Sequence, residues 1–171
     1  SFDGAGLQAW QNAAGGIGSD YERRRVLESL LERHATRPEH ARVALAMAAD
    51  IGSDYEKRML LEKAVDAGLG PTIARGEYTR VAATIGSDYE RREALLKLIE
   101  DGEVDATLAL DVLNAARGIG SDYEAKEVLI ALARVMPAEA QVIEVYRSIA
   151  RGLATYERGE AEQALDRFVE T

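Results

Sequence analysis

The hexapeptide Ile-Gly-Ser-Asp-Tyr-Glu occurs four times, beginning at Ile17, Ile51, Ile85 and Ile119, always at a spacing of 34 residues. A fixed period between about 20 and 50 residues marks a repeat array, in which each unit buries its apolar face against the next. The spacing predicts an all-α chain: a right-handed α-solenoid of about five two-helix, 34-residue repeats. The divisions are a half-repeat over 1–16, repeats over 17–50, 51–84, 85–118 and 119–152, and a C-terminal capping segment over 153–171.

One repeat explains the hexapeptide. Ser19 is a good helix N-cap, and Glu22 three residues later completes the capping-box pattern, in which the glutamate reaches back to the N-cap amide. Asp20 at the first helical position places negative charge at the positive end of the helix dipole. Ser53, Asp54 and Glu56, then Ser87, Asp88 and Glu90, then Ser121, Asp122 and Glu124 repeat the device. Gly18, Gly52, Gly86 and Gly120 are expected in the left-handed conformation that ends the preceding helix.

Past each cap an apolar stripe at helical spacing follows: Val26, Leu27, Leu30 and Leu31, with counterparts Leu60, Leu61, Ala64 and Val65. Ala94, Leu95, Leu98 and Ile99 continue it, as do Val128, Leu129, Leu132 and Ala133. A second helix starts after a loop carrying Pro38, Pro71, Asp105 or Pro137. Ala48, Ala82, Ala116 and Ala150 share one position in it, where a small residue lets two helices approach. A lone hairpin of this length buries too little to stand alone, so stacking must supply the stability. Trp10 aligns with Ala44, Tyr78, Val112 and Tyr146, which assigns residues 1–16 to the second half of a unit. Leu153-Ala154-Thr155-Tyr156-Glu157 is a worn copy, and the polar helix it opens, about Gly159 to Val169, reads as a cap. Ser1 falls in mid-repeat, as expected of a fragment of a longer chain.

The formal net charge of −9 disfavours a nucleic-acid surface, because such binders gain affinity through Lys and Arg contacts with phosphates. It equally disfavours anionic membranes. No stretch approaches the roughly 20 apolar residues of a membrane span, so no membrane insertion is expected of this segment. With no cysteine, disulfides, thiolate metal sites and cysteine nucleophiles are excluded.

The carboxylate ladder Asp20/Glu22, Asp54/Glu56, Asp88/Glu90 and Asp122/Glu124 is the most tempting chemistry. Ca²⁺ needs six to eight oxygens at about 2.5 Å, whereas equivalent groups on stacked helices stand on the order of 10 Å apart. Each aspartate also precedes a base by four residues, Arg24, Arg58, Arg92 or Lys126, the favoured ion-pair orientation on a helix. The basic pairs Arg23-Arg24, Lys57-Arg58 and Arg91-Arg92 are expected as surface charge pairs on solvated helix faces; the rival is a positive ladder that grips an anionic partner. Tyr21, Tyr55, Tyr89 and Tyr123 form a column expected to wedge between adjacent repeats; the rival is a stripe of binding aromatics. His34 and His40, with Glu32 and Glu39 nearby, lack an evident third strong ligand, so no metal is assigned. Neither a nucleophile elbow nor a phosphate loop is present. No catalytic or cofactor-binding residue is assigned.

The 34-residue length invites comparison with tetratricopeptide repeats, but their W-x2-L-G-x2-Y signature is absent. Ser19-Asp20-Tyr21-Glu22-Arg23-Arg24 with Val26-Leu27, and its copies, resembles the short HEAT-like helical repeats of bacterial envelope and regulatory proteins. These include extracellular tails of proteins similar to beta-lactam-sensor membrane metallopeptidases. The H-E-x-x-H zinc motif of those peptidases is absent here, so the resemblance carries over no catalysis. It implies a helical interaction or sensing module in a larger bacterial protein, outside the cytoplasm.

Specificity in a repeat array resides where repeats differ, and the second helices differ most. Glu39, Arg42, Arg75, Glu77, Arg80, Asp111, Asn114, Gln141, Glu144 and Arg147 are the candidate surface for a protein or peptide partner. The rival reading is a structural spacer or scaffold that self-associates through its open N-terminal half-repeat. An enzyme accessory domain is a minor third.

Overall fold

A computed structural model describes residues 4–34, 38–68 and 73–168. Among them are ten helices and no strand: α1 (Gly4–Gly15), α2 (Asp20–His34), α3 (Pro38–Ala48), α4 (Asp54–Asp66), α5 (Ile73–Ala82), α6 (Asp88–Glu100), α7 (Ala106–Ala116), α8 (Asp122–Ala133), α9 (Ala140–Ala150) and α10 (Thr155–Phe168). The protein is all-α, with helix starts at the 34-residue period of the sequence. Each hexapeptide serine stands just before a helix: Ser19, Ser53, Ser87 and Ser121 accept from the amides of Glu22, Glu56, Glu90 and Glu124 at 3.3–3.4 Å. Pro38 opens α3, where its missing N–H costs nothing. Asp105 caps α7 by accepting from the Leu108 amide at 2.8 Å. Pro71 lies outside the described residues.

The chain divides into two compact units, Ser1–Val81 and Ala82–Thr171. In the first, α2 packs on α1, α3 and α4, and α3 also meets α4. In the second, the first helices α6, α8 and α10 pack in succession, with α7 against α6, α8 and α9, and α9 against α8 and α10. The apolar stripes are the core. Leu27, Leu30, Leu31, Leu60, Leu61, Ala64 and Val65 are buried in the first unit, and Leu95, Leu98, Ile99, Val128, Leu129 and Leu132 in the second. Val26, at the edge of its stripe, is half-buried. The shared alanines Ala48, Ala82, Ala116 and Ala150 are all buried, as a position of close helix approach requires.

Two expectations change. The last helix starts at Thr155, four residues before the expected Gly159, because Thr155-Tyr156-Glu157 still occupies the helix-start register of the earlier copies. The glycines before the caps are not left-handed: among the described residues only Gly68 has a positive φ, 71°. Their purpose is spatial, and it emerges from what they face.

Candidate functional site

Asp20, Asp88 and Asp122 of the hexapeptides bind forward into the next repeat. The Ser53 amide donates to Asp20 Oδ2 at 2.8 Å. The amides of Gly120 and Ser121 both donate to Asp88, each at 2.9 Å. Even the worn copy is held, with the Ala154 amide donating to Asp122 Oδ2 at 3.1 Å. The N-cap amide that the capping box assigns to glutamate is thus taken by the preceding repeat's aspartate. This corrects the reciprocal half of the expected box and also the expected Asp–Arg pairs. The glycines make room: a Cβ on Gly52 would lie 3.2 Å from Asp20 Oδ2, and one on Gly120 would lie 3.4 Å from Asp88 Oδ2. Gly18, with no such aspartate in this chain, faces open space.

Two of the freed glutamates, Glu56 and Glu124, pair with an arginine of the preceding repeat. Arg24 binds Glu56 through Nε and Glu28 through Nη1. Arg92 Nη1 meets Glu124 at 2.5 Å, and Lys126 Nζ meets Glu160 and Glu127, each at 2.9 Å. Arg58 holds Glu62 of its own helix at 2.5 Å. The Glu160 hydrogen bond, reinforced by Glu127, raises Lys126 above the usual lysine range although burial opposes it. The same bond holds Glu160 below the usual carboxylate range. Arg23 and Arg91 do a third job. Arg23 donates through Nη2 to the Ile17 carbonyl and through Nη1 to the Asp50 carbonyl, both at 2.6 Å. Arg91 donates through Nε to the Ile85 carbonyl at 2.8 Å. Arg91 is buried, as are Lys57 and Lys126, so the basic pairs are not simply surface charge.

The tyrosines are not wedged between repeats. Tyr21, Tyr55, Tyr89 and Tyr123 are 48%, 50%, 50% and 53% exposed, and Tyr156 is 70% exposed. Each of the first four carries on its ring the cation three residues ahead: Arg24, Arg58, Arg92 and Lys126, at 5.4, 5.3, 4.8 and 4.5 Å from the centroids. The i,i+3 spacing that puts ring and cation on one helix face was present in the sequence. Each ring therefore shields a cation that also serves an ion pair, with one edge in water.

The positions that vary between repeats lie elsewhere. Glu39, Arg42, Arg80, Asn114, Gln141, Glu144 and Arg147 are exposed, while Arg75, Glu77 and Asp111 are half-buried. Glu77 pairs with Arg80 within α5. Burial, and secondarily Asp105, raises the Asp111 carboxyl above the usual range. Glu39 and Arg42 lie on α3, Asp111 and Asn114 on α7, and Gln141, Glu144 and Arg147 on α9. His40 is buried, and the His34 side chain lies outside the described residues. Among the described residues no group of three or more His, Cys, Asp or Glu could hold a metal ion. None of their helices is long and apolar enough to cross a membrane. Comparison with family profiles, curated proteins and solved structures finds no match to this chain.

Proposed function

We propose that this chain is a non-enzymatic helical-repeat module that binds another protein or peptide, built as a right-handed α-solenoid of about five two-helix repeats. One observation carries the reading. Of the polar groups that recur, the serines cap their own helices and Asp20, Asp88, Asp122, Glu56 and Glu124 join repeats, whereas the polar groups that differ between repeats are largely exposed on the second helices. Groups spent on stacking cannot also serve chemistry, and exposed non-repetitive groups are what a particular partner can read. The resemblance to bacterial HEAT-like tracts supports a place in a larger envelope or regulatory protein outside the cytoplasm.

The test uses a partner identified by mass spectrometry after crosslinking to the purified chain. Charge reversal at Glu144 and Arg147 abolishes its capture while helicity is unchanged. Capture that survives reversal on α3, α7 and α9 alike overturns the reading.

The spacer reading meets an obstacle in the worn fifth copy. Thr155 replaces the forward-binding aspartate and Gly159 replaces the pairing cation. The carboxylate and the cation that tie α8 to α10 at Asp122 and Lys126 are thus not repeated on α10, which disfavours end-to-end growth through this joint.

A further inference from the structure

The position four residues after each hexapeptide serine is occupied by Arg23, Lys57 and Arg91, and then by Ala125. In the first and third copies the guanidinium lies over carbonyls at the ends of second helices. Arg23 spans the Ile17 and Asp50 carbonyls. Arg91 holds the Ile85 carbonyl, and its Nη1 sits where a Cβ on Gly118 would come within 2.2 Å. Gly118 is the counterpart of Asp50 two periods later. In the fourth copy the counterparts are Ile119 and Gly152, and the side chain that would cover them is a methyl group.

A cavity of about 220 Å³ occupies that place, lined by Ile119, Asp122, Ala125 and Gly152, with Arg117 and Ser148 among its other walls. Ligand pockets for whole small molecules run from about 300 to 1,000 Å³, so this one has the scale of a single side chain. Arg117, Ser148 and Gly152 are exposed, and the cavity opens to solvent. Among the described residues neither the Ile119 nor the Gly152 carbonyl accepts a hydrogen bond. Both lie just past helix ends, of α7 and α9, where the dipoles favour positive charge.

We propose that this cavity receives an arginine side chain of a partner protein. The chain builds the same receptor for its own guanidinium at Ile17/Asp50 and at Ile85/Gly118, and leaves the copy at Ile119/Gly152 vacant. Arginine fits better than lysine because its planar fork reaches two carbonyls at once, as Arg23 does. The net charge of −9 draws basic partners. Arg117 is the one like charge on the wall. It is exposed, and Asp122 and the two helix ends supply the opposite sign. That the guest belongs to a protein rests on the binding-module reading above.

The probe is N-acetyl-arginine amide, titrated into the purified chain and followed by amide NMR. The expected result is saturable shifts at Ile119, Gly152 and Leu153. Affinity should be at least tenfold tighter than for the citrulline counterpart, which keeps the shape and loses the charge, and at least equal to that of free arginine. Ala125→Arg should refill the cavity from within, raise the melting temperature and abolish these shifts. Ala125→Met, which fills the space without charge, serves the same purpose if the arginine variant folds poorly. Equal binding of citrulline, preference for the free amino acid, or shifts that persist in the filled variants overturn the proposal. Such a failure leaves the second-helix surface untouched, because loss of partner capture on charge reversal is read independently of this cavity.

Discussion

The serine, aspartate and tyrosine of the hexapeptide make separate contacts. Removing a serine oxygen strips an N-cap: Ser53→Ala and Ser87→Ala should each cost about 1 kcal/mol in denaturant unfolding. Asp88 serves two amides of the next repeat, so Asp88→Ala should cost about 1–3 kcal/mol, from about 0.5–1.5 kcal/mol for each of two hydrogen bonds. The glycines provide an internal control. Gly18→Ala meets nothing, and should gain about 0.4–1 kcal/mol by restricting the unfolded chain. Gly52→Ala crowds the Asp20 carboxylate and should forfeit that gain. Equal effects at the two positions would refute the spatial role. Sequence reasoning located these residues and half of their purpose. A capping box reads identically whether its glutamate reaches back or its aspartate reaches forward, since both interpretations use the same letters. Only a partner 33 residues away decides, and spacing alone does not reveal which atoms meet.

At the scale of elements, charge joins α2 to α4, α6 to α8 and α8 to α10. The Arg92–Glu124 pair links α6 to α8 with both side chains largely covered. A double-mutant cycle with Arg92→Met and Glu124→Gln should give coupling of about 0.5–3 kcal/mol, the range for groups in direct contact. The joint of α8 and α9 to α10 should respond to pH at both extremes. Lys126 is raised by its bond to Glu160, and Tyr146 by its burial; the Tyr146 hydroxyl donates to the Ala161 carbonyl at 2.8 Å. A group raised in the folded state contributes fully below its unfolded value and loses that contribution as pH rises. Both contributions should therefore fade above about pH 10, where free lysine and tyrosine titrate. Glu160 is lowered, so its contribution is present above about pH 4.3 and fades as pH falls below that. Thermal unfolding across pH should follow this, with Tyr146→Phe flattening the alkaline fall. An unchanged alkaline slope in that variant would contradict the assignment. The helices themselves were legible because an i, i+1, i+4, i+5 stripe such as Leu60-Leu61-Ala64-Val65 admits few other structures. The tyrosines were misjudged because an aromatic residue in every copy satisfies a buried-wedge pattern and a half-exposed cation stack equally well.

For the whole molecule, repeated and unrepeated residues divide the work. Contacts that recur with the period account for Asp20, Asp88 and Asp122, for the four tyrosines and for Glu56 and Glu124, while the varied positions on α3, α7 and α9 are mostly exposed. The departures from periodicity are the informative ones. Ala125 vacates a guanidinium receptor, and Thr155 with Gly159 ends the forward joint. If that joint ends there, light scattering should return the mass of one chain, 18.6 kDa, across a wide concentration range. Growth of mass with concentration would favour the self-assembling scaffold.

The central claim is that each aspartate acts on the repeat after its own. Hydrogen exchange by NMR in Asp20→Ala and Asp88→Ala tests it most directly, because alanine is at ease in the first turn of a helix. The Ser53 amide in the first variant and the Gly120 and Ser121 amides in the second should lose protection, while α2 and α6 keep theirs. Protection lost only within the mutated helix, or at neither place, would contradict the account.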